Sequence, residues 1–147
     1  MIYLEKPASF VSQLDSVGCL MVVNVKILML LRSPASRMEP LKWGHPAGKV
    51  EPIETIENAM IREIREEIGL SIMRNQLRFV RTFFVDYMAY SCKFNYHVFR
   101  CDMPFEPKIT LSTEHRAHVW ILPCDILSLD LMQDEKECVE SALQLSS

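Results

Sequence analysis

The chain has 147 residues, 49% of them hydrophobic and 24% charged, and 16 basic against 19 acidic side chains give a formal net charge of −3. That length predicts one domain, 1–147, with no room for a second full one, and the composition excludes disorder, collagen and a membrane protein. No basic tail or stripe supplies the cation density that a nucleic-acid polymer demands, whereas a small charged ligand held through a metal is compatible.

Val17–Val23 and Lys26–Leu31, two runs rich in Val, Ile and Leu around Asn24, predict buried strands joined by a tight turn. Residues 32–42 carry Pro34, Pro40 and several polar side chains and read as a loop, leading to Trp43-Gly44-His45-Pro46-Ala47-Gly48, where two glycines and a proline mark a shaped backbone. From Thr55 to Ile68 the apolar residues Ile56, Ala59, Met60, Ile64 and Ile68 recur at steps of three and four, the period of an amphipathic helix, and Gly69 follows as its stop. Leu77–Val85 and Lys93–Arg100 predict strands joined through Asp86–Tyr90, and Ala117–Leu122 predicts another. Asp134 to Leu145 predicts a closing helix, with Asp134 and Glu137 spaced as a capping box and Val139, Ala142 and Leu143 on one face.

The five cysteines, Cys19, Cys92, Cys101, Cys124 and Cys138, are odd in number and widely spaced, and predict reduced thiols in a cytoplasmic protein. The first residues lack the basic and apolar regions of a signal peptide. The apolar stretch from Val17 to Leu31 is shorter than the ~20 residues of a membrane helix and contains Asn24 and Lys26.

On a helix, Glu63, Glu66 and Glu67 at i, i+3 and i+4 project within an arc of about 100° beside the apolar stripe. Like charges at that spacing destabilise an isolated helix, and the last two lie where the macrodipole also disfavours anions. Arg62 and Arg65 offset part of this, but a hard divalent cation such as Mg²⁺ suits a carboxylate cluster better; a solvated acidic face is the plain alternative.

The surrounding frame decides between these. Gly48, Glu54, Arg62-Glu63-Ile64, Glu66-Glu67 and Gly69-Leu70 match G-x5-E-x7-R-E-U-x-E-E-x-G-U at every fixed position, U being a bulky aliphatic. At average residue usage such a match at a given start has a chance on the order of one in a billion. The segment from 48 to 70 resembles the Nudix box, and in length and layout the chain is similar to the MutT-like Nudix hydrolases. The resemblance implies an α/β fold, an α/β/α sandwich with a mixed sheet, and Mg²⁺-dependent hydrolysis of a pyrophosphate link in a nucleoside diphosphate derivative, with Mn²⁺ as a substitute cofactor. It further implies that Glu63, Glu66, Glu67 and the backbone carbonyl of Ala47 ligate the metal and that Arg62 and Glu54 orient the carboxylates. Phosphate contacts fall to Arg32 and Lys49. Similar loops in the family carry a base or an extra ligand where this chain has Glu114, so Glu63 and Glu114 are both candidates for the general base. His115 and His118 with Cys124 complete no zinc ligand set.

Outside the box, Trp43-Gly44-x-Pro46-x-Gly48-Lys49-x-Glu51 is similar to members that cleave nucleoside triphosphates, which makes a (deoxy)nucleoside triphosphate pyrophosphohydrolase releasing NMP and pyrophosphate the leading reading. Tyr87 lies near the tyrosine of dinucleoside polyphosphate hydrolases, and Arg32-Ser33-x3-Arg37 is similar to part of the coenzyme A diphosphatase signature, though Leu41 and His45 replace its glycine and phenylalanine. No proline stands where many ADP-ribose hydrolases carry one. From another class, a nucleotide-sensing module without catalysis has no need of the whole glutamate set. The expected partner is a small-molecule nucleotide, neither a nucleic-acid polymer nor a membrane, and a homodimer is compatible with this reading.

Overall fold

The computed structural model describes residues 1–144. The two apolar runs form strands β2 (Leu14–Val23) and β3 (Lys26–Arg32), antiparallel with Val22 opposite Ile27, and Asn24 turns the chain at a φ of 55°. Asparagine tolerates this left-handed conformation better than other side chains do. The longer later strands are β6 (Arg78–Tyr87), β7 (Cys92–Met103) and β8 (His115–Ile121). Three short strands have no counterpart in the sequence pattern: β1 (Ile2–Tyr3), β4 (Trp43–Gly44) and β5 (Ala47–Lys49).

The described residues form one eight-stranded mixed sheet in the order β1-β6-β7-β2-β3-β4, with β5 added to β2 and β8 to β3. The β2–β7 pair is parallel from Leu14 opposite Phe94 to Val23 opposite Met103. β2 is central and buried on both faces, which accounts for its unbroken apolar run. Val17, Cys19 and Met21 pack with Ala59, Met60, Ile64 and Ile68 of helix α1 (Ile56–Ile68). Leu20 and Val22 pack on the other side with Cys138, Val139 and Ala142 of helix α2 (Glu135–Gln144). The result is an α/β/α sandwich, each fully buried aliphatic side chain contributing ~1.5–3 kcal/mol.

Helix α1 starts at Thr55, whose hydroxyl accepts from the Asn58 N–H at 3.1 Å, and ends at Gly69 with a φ of 73°. The expected capping box at α2 is corrected by the structure. Asp134 has a φ of 63°, away from the extended backbone of an N-cap, and its carboxylate takes Gln133 Nε2 at 2.9 Å and the Met1 ammonium at 3.2 Å. Leu145, assigned to the same helix from the sequence, lies outside the described residues. All five cysteines are free thiols, and His115 is buried while His118 is exposed. No helix of the described residues is long and apolar enough to cross a membrane.

Candidate active site

Helix α1 carries the acidic residues on two sides. Glu67 lies in its buried stripe with Ala59, Met60, Ile64 and Ile68, and Glu63 is partly buried beside it. Glu66 is placed differently from the crowding expected of three neighbouring carboxylates: its side chain is 58% exposed and bonds Arg62 Nη1 at 3.3 Å. Adjacent helical residues diverge by about 100°, which carries Glu66 out of the stripe that holds Glu67.

Arg62 is the hub of this surface. Its Nε and Nη2 chelate the two oxygens of Glu54 at 2.8 and 2.9 Å, Nη1 donates to Glu63 Oε1 at 2.8 Å, and Nη2 also donates to the Lys49 carbonyl at 2.9 Å. The guanidinium bonds hold the Glu54 carboxyl down at about 2. Glu63 is raised above the ordinary carboxylate range by burial, against the pull of Arg62. Glu67 is raised well above that range by burial and then by Glu63 and Glu114, and the one hydrogen bond it accepts among the described residues is a long one, from Ala47 N–H at 3.4 Å.

The segment with the expected shaped backbone forms β4 and β5. Gly48 is not in the left-handed region; it is required because a Cβ there would stand 2.0 Å from Glu63 Cδ. The Pro46 carbonyl accepts from Cys19 N–H in β2 at 2.9 Å. Neighbouring residues of an extended strand address opposite edges, so Ala47 directs its N–H and its carbonyl away from β2, toward Glu67.

Glu114 reaches the cluster through its loop. Thr110 N–H and Ser112 N–H donate to the carbonyls of Ile68 and Glu67 at 2.9 and 3.1 Å, satisfying the C-terminal end of α1, and Ser33 N–H holds the Glu114 carbonyl at 2.8 Å. Arg32 bonds its own loop, with Nε on the Met38 carbonyl at 2.9 Å and Nη2 on Ser36 Oγ at 2.5 Å.

Glu63, Glu67, Glu114, Ala47, Gly48, Arg32 and Lys49 line a cavity of about 400 Å³ together with Met38, Val85, Tyr87, Phe94, Met132 and Cys138, and with His45, Gln133, Asp134 and Glu135. Tyr87 is 7% exposed, its hydroxyl donates to the Gln133 carbonyl at 3.4 Å, and burial raises its pKa. Among the described residues no three His, Cys, Asp or Glu side chains are gathered tightly enough to form a ready-made metal cage. Mg²⁺ characteristically keeps several waters and binds one or two carboxylates together with substrate phosphates, which an open arrangement suits.

The model of the NUDIX domain matches residues 13–142. This chain belongs to the Nudix family. It is 29% identical over 126 residues to the nucleoside triphosphatase NudI of Klebsiella pneumoniae, covering 79% of this chain and 87% of the relative. The structure is similar to the MutT protein of Methanosarcina mazei, with a TM-score of 0.79, 25% identity and coverage of 91% and 95%. It is also similar to a bifunctional NMN adenylyltransferase/ADP-ribose pyrophosphatase of Francisella tularensis, crystallised with AMP and a manganese ion (TM-score 0.76, 25% identity, covering 95% of this chain and 44% of that one). This Nudix protein is a hydrolase of nucleotide phosphoanhydride bonds, from a family that generally uses divalent metals.

One part of this Nudix site had no signal in the sequence. His45 lies between β4 and β5 and is bonded twice to Glu135 Oε1 at the start of α2, by its backbone N–H at 2.9 Å and by Nδ1. A carboxylate accepts, so Nδ1 carries the proton, and Nε2 takes the hydroxyl of Tyr96 at 2.6 Å. Gly18 makes the space, since a Cβ there would fall 2.0 Å from the Tyr96 oxygen. His45 and Glu135 are 90 positions apart, and neither belongs to the Nudix box.

Proposed function

We propose that this Nudix hydrolase is a Mg²⁺-dependent nucleoside triphosphate pyrophosphohydrolase that releases a nucleoside monophosphate and pyrophosphate. The observation that carries the reading is a cavity whose lining joins the carboxylates Glu63, Glu67 and Glu114 and the cations Arg32 and Lys49 to aromatic and aliphatic side chains such as Tyr87, Phe94 and Val85. About 400 Å³ falls in the range of small-molecule sites, roughly 300–1,000 Å³. A triphosphate suits the carboxylates and cations once a metal is bound, and its nucleoside the aromatic and aliphatic side chains. The similarity to NudI, named a nucleoside triphosphatase, supports the same choice.

The chain's own residues fit a cation. Glu67 is a buried carboxylate with one long hydrogen bond and two acidic neighbours, an arrangement that positive charge relieves. Glu67, Glu63 and the Ala47 carbonyl hold the metal, with Glu66 joining from its exposed position. A divalent cation there supplies Lewis-acid polarisation of the phosphate oxygens. Arg62, fixed by Glu54, orients Glu63, while Lys49 and Arg32 face the phosphates. Glu63 Oε1 is bonded to Arg62 and its carboxylate lies against Gly48, whereas among the described residues no hydrogen bond engages the Glu114 carboxylate. Glu114 is therefore the general base and Glu63 a ligand. An adjoining groove shares Arg32, Lys49 and Glu114 with the cavity and continues to Arg37 and Tyr90, room that favours a dinucleoside polyphosphate as the second reading.

EDTA is expected to abolish turnover. In a mass-spectrometric screen with Mg²⁺ against nucleoside triphosphates, dinucleoside polyphosphates, ADP-ribose, nucleotide sugars and coenzyme A, the triphosphates should give the highest kcat/KM. Undiminished turnover in metal-free buffer, or a clear preference for another class, sinks the corresponding half of the reading.

For Glu114→Gln the expected result is a fall in kcat of at least about a hundredfold with little change in the Mg²⁺ activation constant. The acidic limb of the pH–rate profile, which reports protonation of the base, should flatten. If excess Mg²⁺ restores the rate instead, Glu114 is a ligand and the base is Glu63.

A further inference from the structure

We infer that His45 and Glu135 are positioning residues, a strut through which α2 fixes how far the Ala47–Gly48 segment stands from the carboxylates of α1. Side chains alternate across an extended strand, so Gly48 meets Glu63 on one face while His45 and Ala47 address the other. In the plane of the sheet, Cys19 N–H holds the Pro46 carbonyl and Ser16 Oγ holds the Gly48 carbonyl at 2.7 Å. The segment is tied to α1 by the Ala47 N–H on Glu67 and by Arg62 Nη2 on the Lys49 carbonyl, and the two bonds from His45 to Glu135 tie it to the helix on the far side of the sheet, so its height between the two helices is set from both faces.

Two features mark this as more than core packing. Glu135 is a buried carboxylate, 6% exposed, and both hydrogen bonds it accepts come from His45. Burying a charge for bonds to one residue is costly where an apolar contact would fill the same space, although the first turn of α2 favours an anion. The segment so held also has little tolerance. Gly48 lies so close to Glu63 that an added methyl group would force the carboxylate or the strand to shift, and catalytic constellations lose function on displacements of about 0.5 Å.

The strut rests on the metal site proposed above, and the test separates the two. Mn²⁺ affinity is measured calorimetrically without nucleotide, together with the Mg²⁺ activation constant and Tm. Glu135→Asp, which draws the carboxylate back by one methylene, should weaken Mn²⁺ binding about tenfold and raise the activation constant by the same factor, as loss of an outer partner of a metal ligand typically does. Glu135→Gln keeps an acceptor oxygen at the right reach and should restore affinity to within about threefold. Tyr96→Phe, which leaves both bonds to Glu135 in place, should keep metal affinity within the same range. In the wild-type protein, Mg²⁺ titration should shift the ¹⁵N resonances of the His45 ring and leave those of His118 unmoved, a readout that needs no variant to fold.

A Glu135→Asp protein with lowered Tm and unchanged Mn²⁺ affinity overturns the strut and leaves an ordinary packing contact. Equal loss in Tyr96→Phe, or a His45 ring that ignores the metal, overturns it as well. Glu67→Gln is the companion: if it too leaves Mn²⁺ affinity unchanged, the metal site fails rather than the strut.

Discussion

Glu67→Gln is expected to lower kcat by at least about a hundredfold and, in metal-free buffer, to raise Tm. The amide keeps the volume and the contact with Ala47 N–H but removes the charge that binds metal. The stability gain follows from proton linkage. The unfolded carboxylate titrates near 4.5, whereas burial and the neighbouring Glu63 and Glu114 raise the folded value well above that. The folded state therefore binds more protons between the two values, and stability falls as pH rises through that window. Above the folded value the penalty is complete, and Gln does not carry it. The Tm difference between variant and wild type in EDTA should be small near pH 4 and largest near pH 8. A variant less stable than wild type at pH 8, or one with near wild-type turnover at saturating Mg²⁺, contradicts the assignment. Glu66→Gln should cost less, because Glu66 is exposed and already bonded to Arg62.

Gly48→Ala should be comparably damaging to activity while adding one carbon atom. Its Cβ would stand 2.0 Å from Glu63 Cδ and 2.3 Å from both carboxylate oxygens. An unconstrained glutamate could swing aside, but Arg62 holds Glu63 Oε1 and is itself chelated by Glu54. Either β5 shifts or the Arg62–Glu63 bond breaks, and both displace a ligand. The expected loss in kcat is at least about a hundredfold, with kcat/KM falling equally. A double-mutant cycle tests the cause: the fall in Tm produced by Gly48→Ala should vanish in a Glu63→Ala background, since the clash is then gone. A penalty that persists there places the damage in the backbone of β5 and removes Glu63 from the explanation.

The sequence made helix α1 legible because its apolar spacing and glycine stop are local signals, and the box made the chemistry legible because its fixed positions are numerous. Where local rules fell short, tertiary contacts decided. An arc of about 100° placed three glutamates together, yet only the position of the sheet separates Glu67 in the buried stripe from Glu66 in solvent. Gly48 read only as part of a shaped backbone and of the box, because sequence cannot show what a missing side chain would strike. Asp134 had the spacing of a cap, but Gln133 and the Met1 ammonium engage its carboxylate. The strands β4 and β5 are too short to show a period and exist because β3 and β2 offer them edges. His45 and Glu135 are ordinary residues in separate segments, and only the closed fold brings them together.

The long parallel ladder between β2 and β7 also sets the order in which this molecule can be assembled. β2 leaves the ribosome well before β7, its partner from Leu14–Phe94 to Val23–Met103, which emerges only after the glutamate helix and the β6 strand. Until then one backbone edge of the most apolar strand in the chain stands open, the kind of edge that recruits other chains. A nascent or truncated protein ending near Tyr90 would contain the entire glutamate motif and still lack the strand that closes its core. Loop closure over such a separation is slow compared with hairpin formation. Yield during synthesis is therefore governed by how long β2 waits for β7, and substitutions that weaken β7 should appear first as aggregation rather than as lost catalysis.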